Sequence, residues 1–357
     1  MWPYIFNLGI ILIIYVLVNS CAIIKNKRNT FINLSFLYMF LFLGLRSVNT
    51  GPDSIVYIDI FKYIAKLPMD QLNSINWEVL YIIFNKILSL FTTNTQIYII
   101  ITSALGLIGP FILIKKYSKN SFFSVVLFIT LGFFSYYIFT IRQCIAITIL
   151  VFSVKYIQEK KFIKFILIVI IATLVHKSSI VFALIYFISK VKFSKKVIPL
   201  YAVMCVILFF IKDALMNLVI NTIYPQYALR SIGGEGGNLL IFMLVLLVIT
   251  FMMIYYGKIN IKYKDDDEKI SIDNICMNIF LFTICLQVLA TGRDIVARFI
   301  TVTYMFIIIL IPNLISMLDN KKEKRMYEFI IFSIGLAFYI YQVVNYIGTS
   351  MEYSFFI

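Results

Sequence analysis

Between residues 3 and 347 the chain repeats one pattern: a run of 12 to 21 mostly apolar residues, then a short polar stretch. The runs fall at 3–22, 30–45, 97–114, 121–140, 143–157, 162–175, 178–189, 197–211, 239–257, 271–291, 298–316 and 328–347. A helix needs about 20 apolar residues to cross the hydrocarbon of a bilayer. Only helices and closed barrels satisfy their backbone in lipid, and continuous runs lack the alternation of barrel strands. The pattern therefore predicts an all-α, polytopic integral membrane protein with about twelve transmembrane helices, residues 1–357 forming a single transmembrane domain. The runs at 143–157, 162–175 and 178–189 are short for a crossing, so they either tilt little or end below the surface around a wet cavity.

Two polar intervals are long enough to carry structure. In 46–96, Gly51 and Pro52 break the chain and Asp53 is placed to N-cap an amphipathic helix. Ile55, Ile58, Phe61 and Ile64 would share its apolar face, with Tyr57 and Lys62 pointing elsewhere. Residues 76–92, apolar on one face and interrupted by Glu78, Asn85 and Lys86, predict an interfacial helix. The interval 212–238 contains four glycines and reads either as a plain linker or as a mobile lid.

Composition agrees with a membrane solvent: 62% of 357 residues are apolar. The net charge of +15 would suit nucleic acid, but its placement argues otherwise. The segments 25–28, 115–119, 155–164, 190–196, 258–269 and 321–325 hold 22 of the 32 Lys and Arg. Basic loops stay cytoplasmic, which puts both termini outside and predicts no nucleic-acid partner. The five cysteines stand singly and support neither a disulfide framework nor a metal site. The first run lacks a basic flank and reads as a span rather than a removed signal.

The seven arginines are distributed differently from the lysines. Five of them, Arg46, Arg142, Arg230, Arg293 and Arg298, fall on the outer side. Lysine would orient the chain equally well; arginine adds a planar fork that grips phosphate or carboxylate oxygens and never loses its charge. Trp77–Glu78, Arg142–Gln143 and the sole histidine, His176, followed by Ser178, lie on the same side, as does "TGRDIVARF" with Arg293, Asp294 and Arg298. Arg293 and Arg298 are five residues apart, roughly 140° around a helix, and would not grip one atom together.

The ordered motifs "LRSVNTGPDSIVY", Trp77–Glu78, "IRQCIA", "HKSSI" and "ARF" resemble the EpsG-like family of bacterial surface-polysaccharide polymerases, within the broader Wzy-type group, over roughly residues 40 to 310. Asp53 and Tyr57 keep their places in the family's first motif, although Pro52 stands where Thr is common. Arg142, Gln143 and Ala146 match the second, His176 and Ser178 the third, and the late arginine maps to Arg298, with Arg293 the second choice. The resemblance implies a GT-C-like polymerase or ligase architecture in the bacterial cytoplasmic membrane, with the site facing outward. It implies transfer of a growing glycan from undecaprenyl pyrophosphate to the non-reducing end of a lipid-linked repeat unit, with no metal, nucleotide or cofactor. The bilayer, a flippase and a chain-length regulator are the implied partners.

On this reading, Arg142 and Arg298 meet the charge of the departing pyrophosphate, and Arg46 or Arg293 holds the second carrier. His176 is the leading candidate for the base, ahead of Asp53 and Glu78. Asp53 has an alternative role, pairing with Arg46 to fix the turn. Tyr57 stacks on a sugar or donates to phosphate, while Gln143, Ser178 and Asp294 line the site. A flippase or exporter of the same lipid, an O-antigen ligase-type transferase and a membrane acyltransferase are the competing functions; for the last, no acyl-donor site is visible on the cytoplasmic side.

Overall fold

The computed structural model of the chain describes residues 2–194, 196–223, 236–265, 268–290 and 297–356. In chain order it forms α1 (Trp2–Ser20), α2 (Lys27–Gly44), α3 (Ser54–Lys66), a short 3₁₀ segment (Met69–Ser74), α4 (Val79–Ser89), α5 (Thr95–Tyr117), α6 (Ser121–Thr130), α7 (Phe133–Phe139), α8 (Ile141–Val151) and α9 (Val154–Gln158). There follow α10 (Phe162–Thr173), a 3₁₀ helix (Lys177–Leu184), α11 (Ile185–Ile188), α12 (Val197–Ile223), α13 (Gly236–Tyr256), α14 (Ile272–Ala290), α15 (Ala297–Tyr304), α16 (Ile307–Met317) and α17 (Lys321–Val344). The protein is all-helical, with eight helices long and apolar enough to cross a membrane among the described residues, or nine if the bent pair α6–α7 is one span. The expected count of about twelve goes beyond these; residues 162–175 and 178–189 form only short apolar helices. At about 1.5 Å per residue, the 12-residue α10 is roughly 18 Å long, well short of the hydrocarbon thickness.

Two compact units divide the chain. The first comprises Met1–Phe152, Ile170–His176 and Arg325–Ile357, the second Ser153–Val169 and Lys177–Lys324. Within the first, α5 and α8 approach closely because α5 offers glycines. Thr148 Oγ1 donates to the Gly106 carbonyl at 2.7 Å and accepts from the Gly109 N–H at 3.1 Å. A Cβ on Gly109 would stand 2.6 Å from the Thr148 Cα, which is backbone and cannot swing aside. Small residues at such contacts let membrane helices pack without a hydrophobic driving force. Gly109→Ala is expected to destabilise the protein by roughly 1–3 kcal/mol, as overpacking does, read as a lower unfolding temperature in detergent.

Polar side chains close the helix ends. Arg28 donates to Ser121 Oγ at 2.9 Å and to the carbonyls of Lys115 and Ser118 at 2.9 and 3.0 Å, capping the end of α5. Lys86, an interruption in the apolar pattern of α4, is buried and reaches the carbonyls of Ile64, Ala65 and Leu67 at the end of α3. The exposed face of α4 is apolar, with Val79, Ile83 and Ile87 four residues apart.

Several sequence expectations are corrected. Tyr57 lies on the buried face of α3 with Ser54, Ile58, Phe61 and Ile64, whereas Ile55 is exposed. The helix is rotated because Tyr57 packs on Trp77 and Tyr81, ring centroids 5.6 and 6.3 Å away. Asp53 occupies the N-cap position, but its exposed side chain caps nothing; Ser54 Oγ instead donates to the Thr50 carbonyl at 2.6 Å. The single span expected at 121–140 is broken between α6 and α7 by a 56° bend, with Gly132 left-handed (φ 83) and the Gln342 side chain of α17 filling the place of a Cβ. The span expected at 197–211 continues as α12 to Ile223, since the apolar pattern runs on past Lys212 and Asp213. Much of the expected 212–238 interval is thus helical, and its centre, with Arg230, lies outside the described residues.

The C-terminal tail returns to the loop after α2. Backbone N–H groups of Ser47 and Gly51 donate to the carbonyls of Ser354 and Ser350 at 2.8 and 2.7 Å, and Phe356 N–H donates to the Leu45 carbonyl at 3.2 Å. Tyr353 Oη donates to the Phe42 carbonyl at 2.7 Å and Tyr4 Oη, from α1, to the Met351 carbonyl at 2.6 Å.

In the second unit, α14 is buried along almost its whole length. Asn274 and Asn278 donate to the carbonyls of Ser189 and Val191 at 2.9 to 3.1 Å, fastening the segment after α11.

Candidate active site

Glu78 sits at the N-cap position of α4 in an extended conformation (φ −69, ψ 133), where its carbonyl begins the helix while its side chain makes no cap bond. That side chain turns toward α8. Arg142, in the first turn of α8, meets it: Arg142 Nη1 lies 2.5 Å from Glu78 Oε2. The Leu80 N–H donates to the Leu174 carbonyl at 3.0 Å, joining the first turn of α4 to the link after α10. This bond brings in His176, whose Nδ1 is 3.6 Å from Glu78 Oε1. One carboxylate thus stands between a guanidinium and the chain's only imidazole, all within the first unit.

The surroundings are dry and aromatic. The side chains of Glu78 and His176 are 6% exposed and that of Arg142 16%. The Arg142 guanidinium lies over the Trp77 ring, 3.9 Å from its centroid, with the Tyr57 and Tyr81 rings 5.7 and 5.8 Å away. Tyr81 and Tyr98 hydroxyls meet at 2.5 Å behind them. Cation–π contact and the low local dielectric hold the guanidinium in one place and strengthen its pull on Glu78.

The other expected site residues are placed differently. Gln143 is buried and accepts a 2.6 Å bond from Tyr136 of α7, which places it at the α7–α8 junction. Arg46 is fully buried: its Nη1 donates to the Leu43 carbonyl at 2.5 Å and to Ser103 Oγ at 2.9 Å. Burial draws its guanidinium down to about 10, which leaves it charged at neutral pH. It binds the end of α2 to α5, a task shared by Gln96, whose amide donates to the Gly44 carbonyl at 2.5 Å. The exposed Asp53 does not pair with it. In the second unit, Ser178 is buried in the 3₁₀ helix and Arg298 is half-buried on α15. Arg293 and Asp294 lie outside the described residues.

Trp77 and Tyr81 were not picked out as site residues from the sequence. Signals were available: Trp77 is one of only two tryptophans and adjoins Glu78, and Tyr81 follows three residues on, where an α-helix returns to the same face.

Chemically, a buried carboxylate beside one imidazole nitrogen favours a proton on that nitrogen and leaves the opposite one, Nε2, to accept another. A 3.6 Å separation exceeds a hydrogen bond, as ligand-free catalytic contacts often do. Arg142 brings a fixed positive charge to the same place. Among the described residues, no group of three or more His, Cys, Asp or Glu is placed to hold a metal ion.

Compared with known proteins, residues 29–356 match the model of a family described as the EpsG family. The match extends well beyond residues 40–310 and takes in the C-terminal tail. No curated protein matches the chain. No solved structure matches it.

Proposed function

The chain belongs to the EpsG family, matched over residues 29–356 of 357, and on that premise we propose that it is a polysaccharide polymerase. The reaction is metal-independent transfer of a growing glycan from undecaprenyl pyrophosphate to the non-reducing end of a lipid-linked repeat unit. Family membership supports the polymerase role in polysaccharide biosynthesis, and the helices make the chain a multi-pass membrane protein. The lysine pattern supports placing the site on the outer face of the bacterial cytoplasmic membrane.

The observation that carries the mechanism is the Glu78 carboxylate between Arg142 and His176. An acceptor hydroxyl attacks the anomeric carbon of the donor; the bond from that carbon to the pyrophosphate oxygen breaks, and the hydroxyl proton passes to His176 Nε2. Glu78 positions the imidazole and offsets the charge it gains. Arg142 meets the charge growing on the leaving pyrophosphate. Trp77, the part-exposed ring of the three, supplies aromatic surface suited to a sugar ring.

The test is reconstitution in proteoliposomes with a lipid-linked repeat unit supplied to the site-bearing face. A ladder of products with release of lipid pyrophosphate is the expected result. Movement of the labelled lipid across the bilayer without polymer would overturn the reading in favour of a flippase.

A further inference from the structure

Arg142 is already engaged by neighbouring side chains. Its Nη1 is 2.5 Å from Glu78 Oε2, and the Trp77 ring covers its face at 3.9 Å. The other Glu78 oxygen stops 3.6 Å from His176 Nδ1, longer than a hydrogen bond. The same carboxylate therefore neutralises the group that would receive an anion and stands off from the group that would receive a proton. Two functions compete for one side chain.

We infer that the Arg142–Glu78 pair is a latch, opened by the diphosphate of the donor lipid, that delivers Glu78 to His176 once the donor is in place. This rests on the polymerase reading above. A diphosphate offers the guanidinium more charge than one carboxylate, and oxygens spaced for both arms of its fork. As Arg142 turns to it, Glu78 loses its cation and closes on Nδ1. An anion hydrogen-bonded to one ring nitrogen favours the charged imidazolium, so Nε2 becomes a stronger proton acceptor. The acceptor hydroxyl is activated only at a site that already holds a donor, which makes binding ordered, donor first. Trp77 remains against the guanidinium throughout and senses its movement.

The chain has two tryptophans, so Trp2→Phe leaves Trp77 as its only indole. In that background, inorganic pyrophosphate is titrated against the full-length protein in detergent and Trp77 emission is followed. A saturable change is expected. Glu78→Gln removes the competing charge but keeps the shape, and should tighten binding about tenfold or more, as for close charge pairs. Arg142→Ala should abolish the change; Arg142→Lys, which keeps the charge but not the fork, should weaken binding and covers the case in which Ala does not fold. Equal affinity in Glu78→Gln and its parent overturns the latch, as does undiminished binding in both Arg142 variants or the absence of any saturable change in the parent. The two readings fail separately. Polymer formation with unchanged Glu78→Gln affinity removes the latch alone, whereas absence of polymer from lipid-linked repeat units removes the polymerase.

Discussion

His176→Ala is expected to slow polymerisation by about 10²- to 10⁴-fold, the usual contribution of a general base, while the protein remains folded. The imidazole is 6% exposed, so truncation also leaves a small void. His176→Gln fills that volume with a group that cannot accept the proton at neutral pH, and it should lose as much activity with less effect on the unfolding temperature. The measurement is the initial rate of ladder formation in proteoliposomes at saturating repeat unit. A wild-type rate in either variant would remove His176 from the reaction. Glu78 acts through His176 in this scheme, so Glu78→Gln should lower the maximal rate without raising the half-saturating concentration of the donor.

Arg142→Ala is expected to have the largest combined effect. It leaves the Glu78 carboxylate, 6% exposed, without its cation. Breaking a buried pair in this way costs about 3–5 kcal/mol of stability. It also withdraws the positive charge facing the leaving group, worth about 10²- to 10³-fold in rate by analogy with removal of one oxyanion donor. The two effects can be separated. Replacing both partners with apolar residues, Arg142→Met with Glu78→Leu, should restore much of the stability, since no charge is stranded, but none of the activity. Thermal unfolding and ladder formation on the two singles and the double complete the cycle. Additive losses of stability would show that the two side chains do not interact.

The sequence showed the membrane architecture because hydrocarbon imposes one requirement, length of apolar chain, that can be read locally. It did not show where helices break. The bend at Gly132 depends on α17 packing against it, more than 200 residues later, and nothing in 121–140 alone marks it. His176 and Arg142 stood out because each is rare and polar in an apolar chain. Arg46 stood out for the same reason, yet the structure uses it to satisfy the carbonyl end of α2 and Ser103. Rarity identifies a costly residue; only tertiary contacts tell whether that cost serves a ligand or a helix end. Asp53 shows the converse: its position looked chemical, and its side chain points to solvent. Trp77 entered only as the motif neighbour of Glu78, because its local signals, a rare residue type beside an acid, do not say what its ring faces. Its meaning comes from Arg142, 65 residues away in sequence and stacked on it.

The bond from Tyr4 to Met351 sets a parity rule for the whole chain. Two points joined by a hydrogen bond lie at one depth, so the chain between them must cross the bilayer an even number of times. The Phe356–Leu45 bond applies the same rule to a shorter stretch: if α1 crosses, α2 must cross back. Among the described residues, adding α2 to the nine candidates, with α6–α7 taken as one, gives ten. A reporter fusion that assigned residues 4 and 351 to opposite faces would contradict a contact 2.6 Å long.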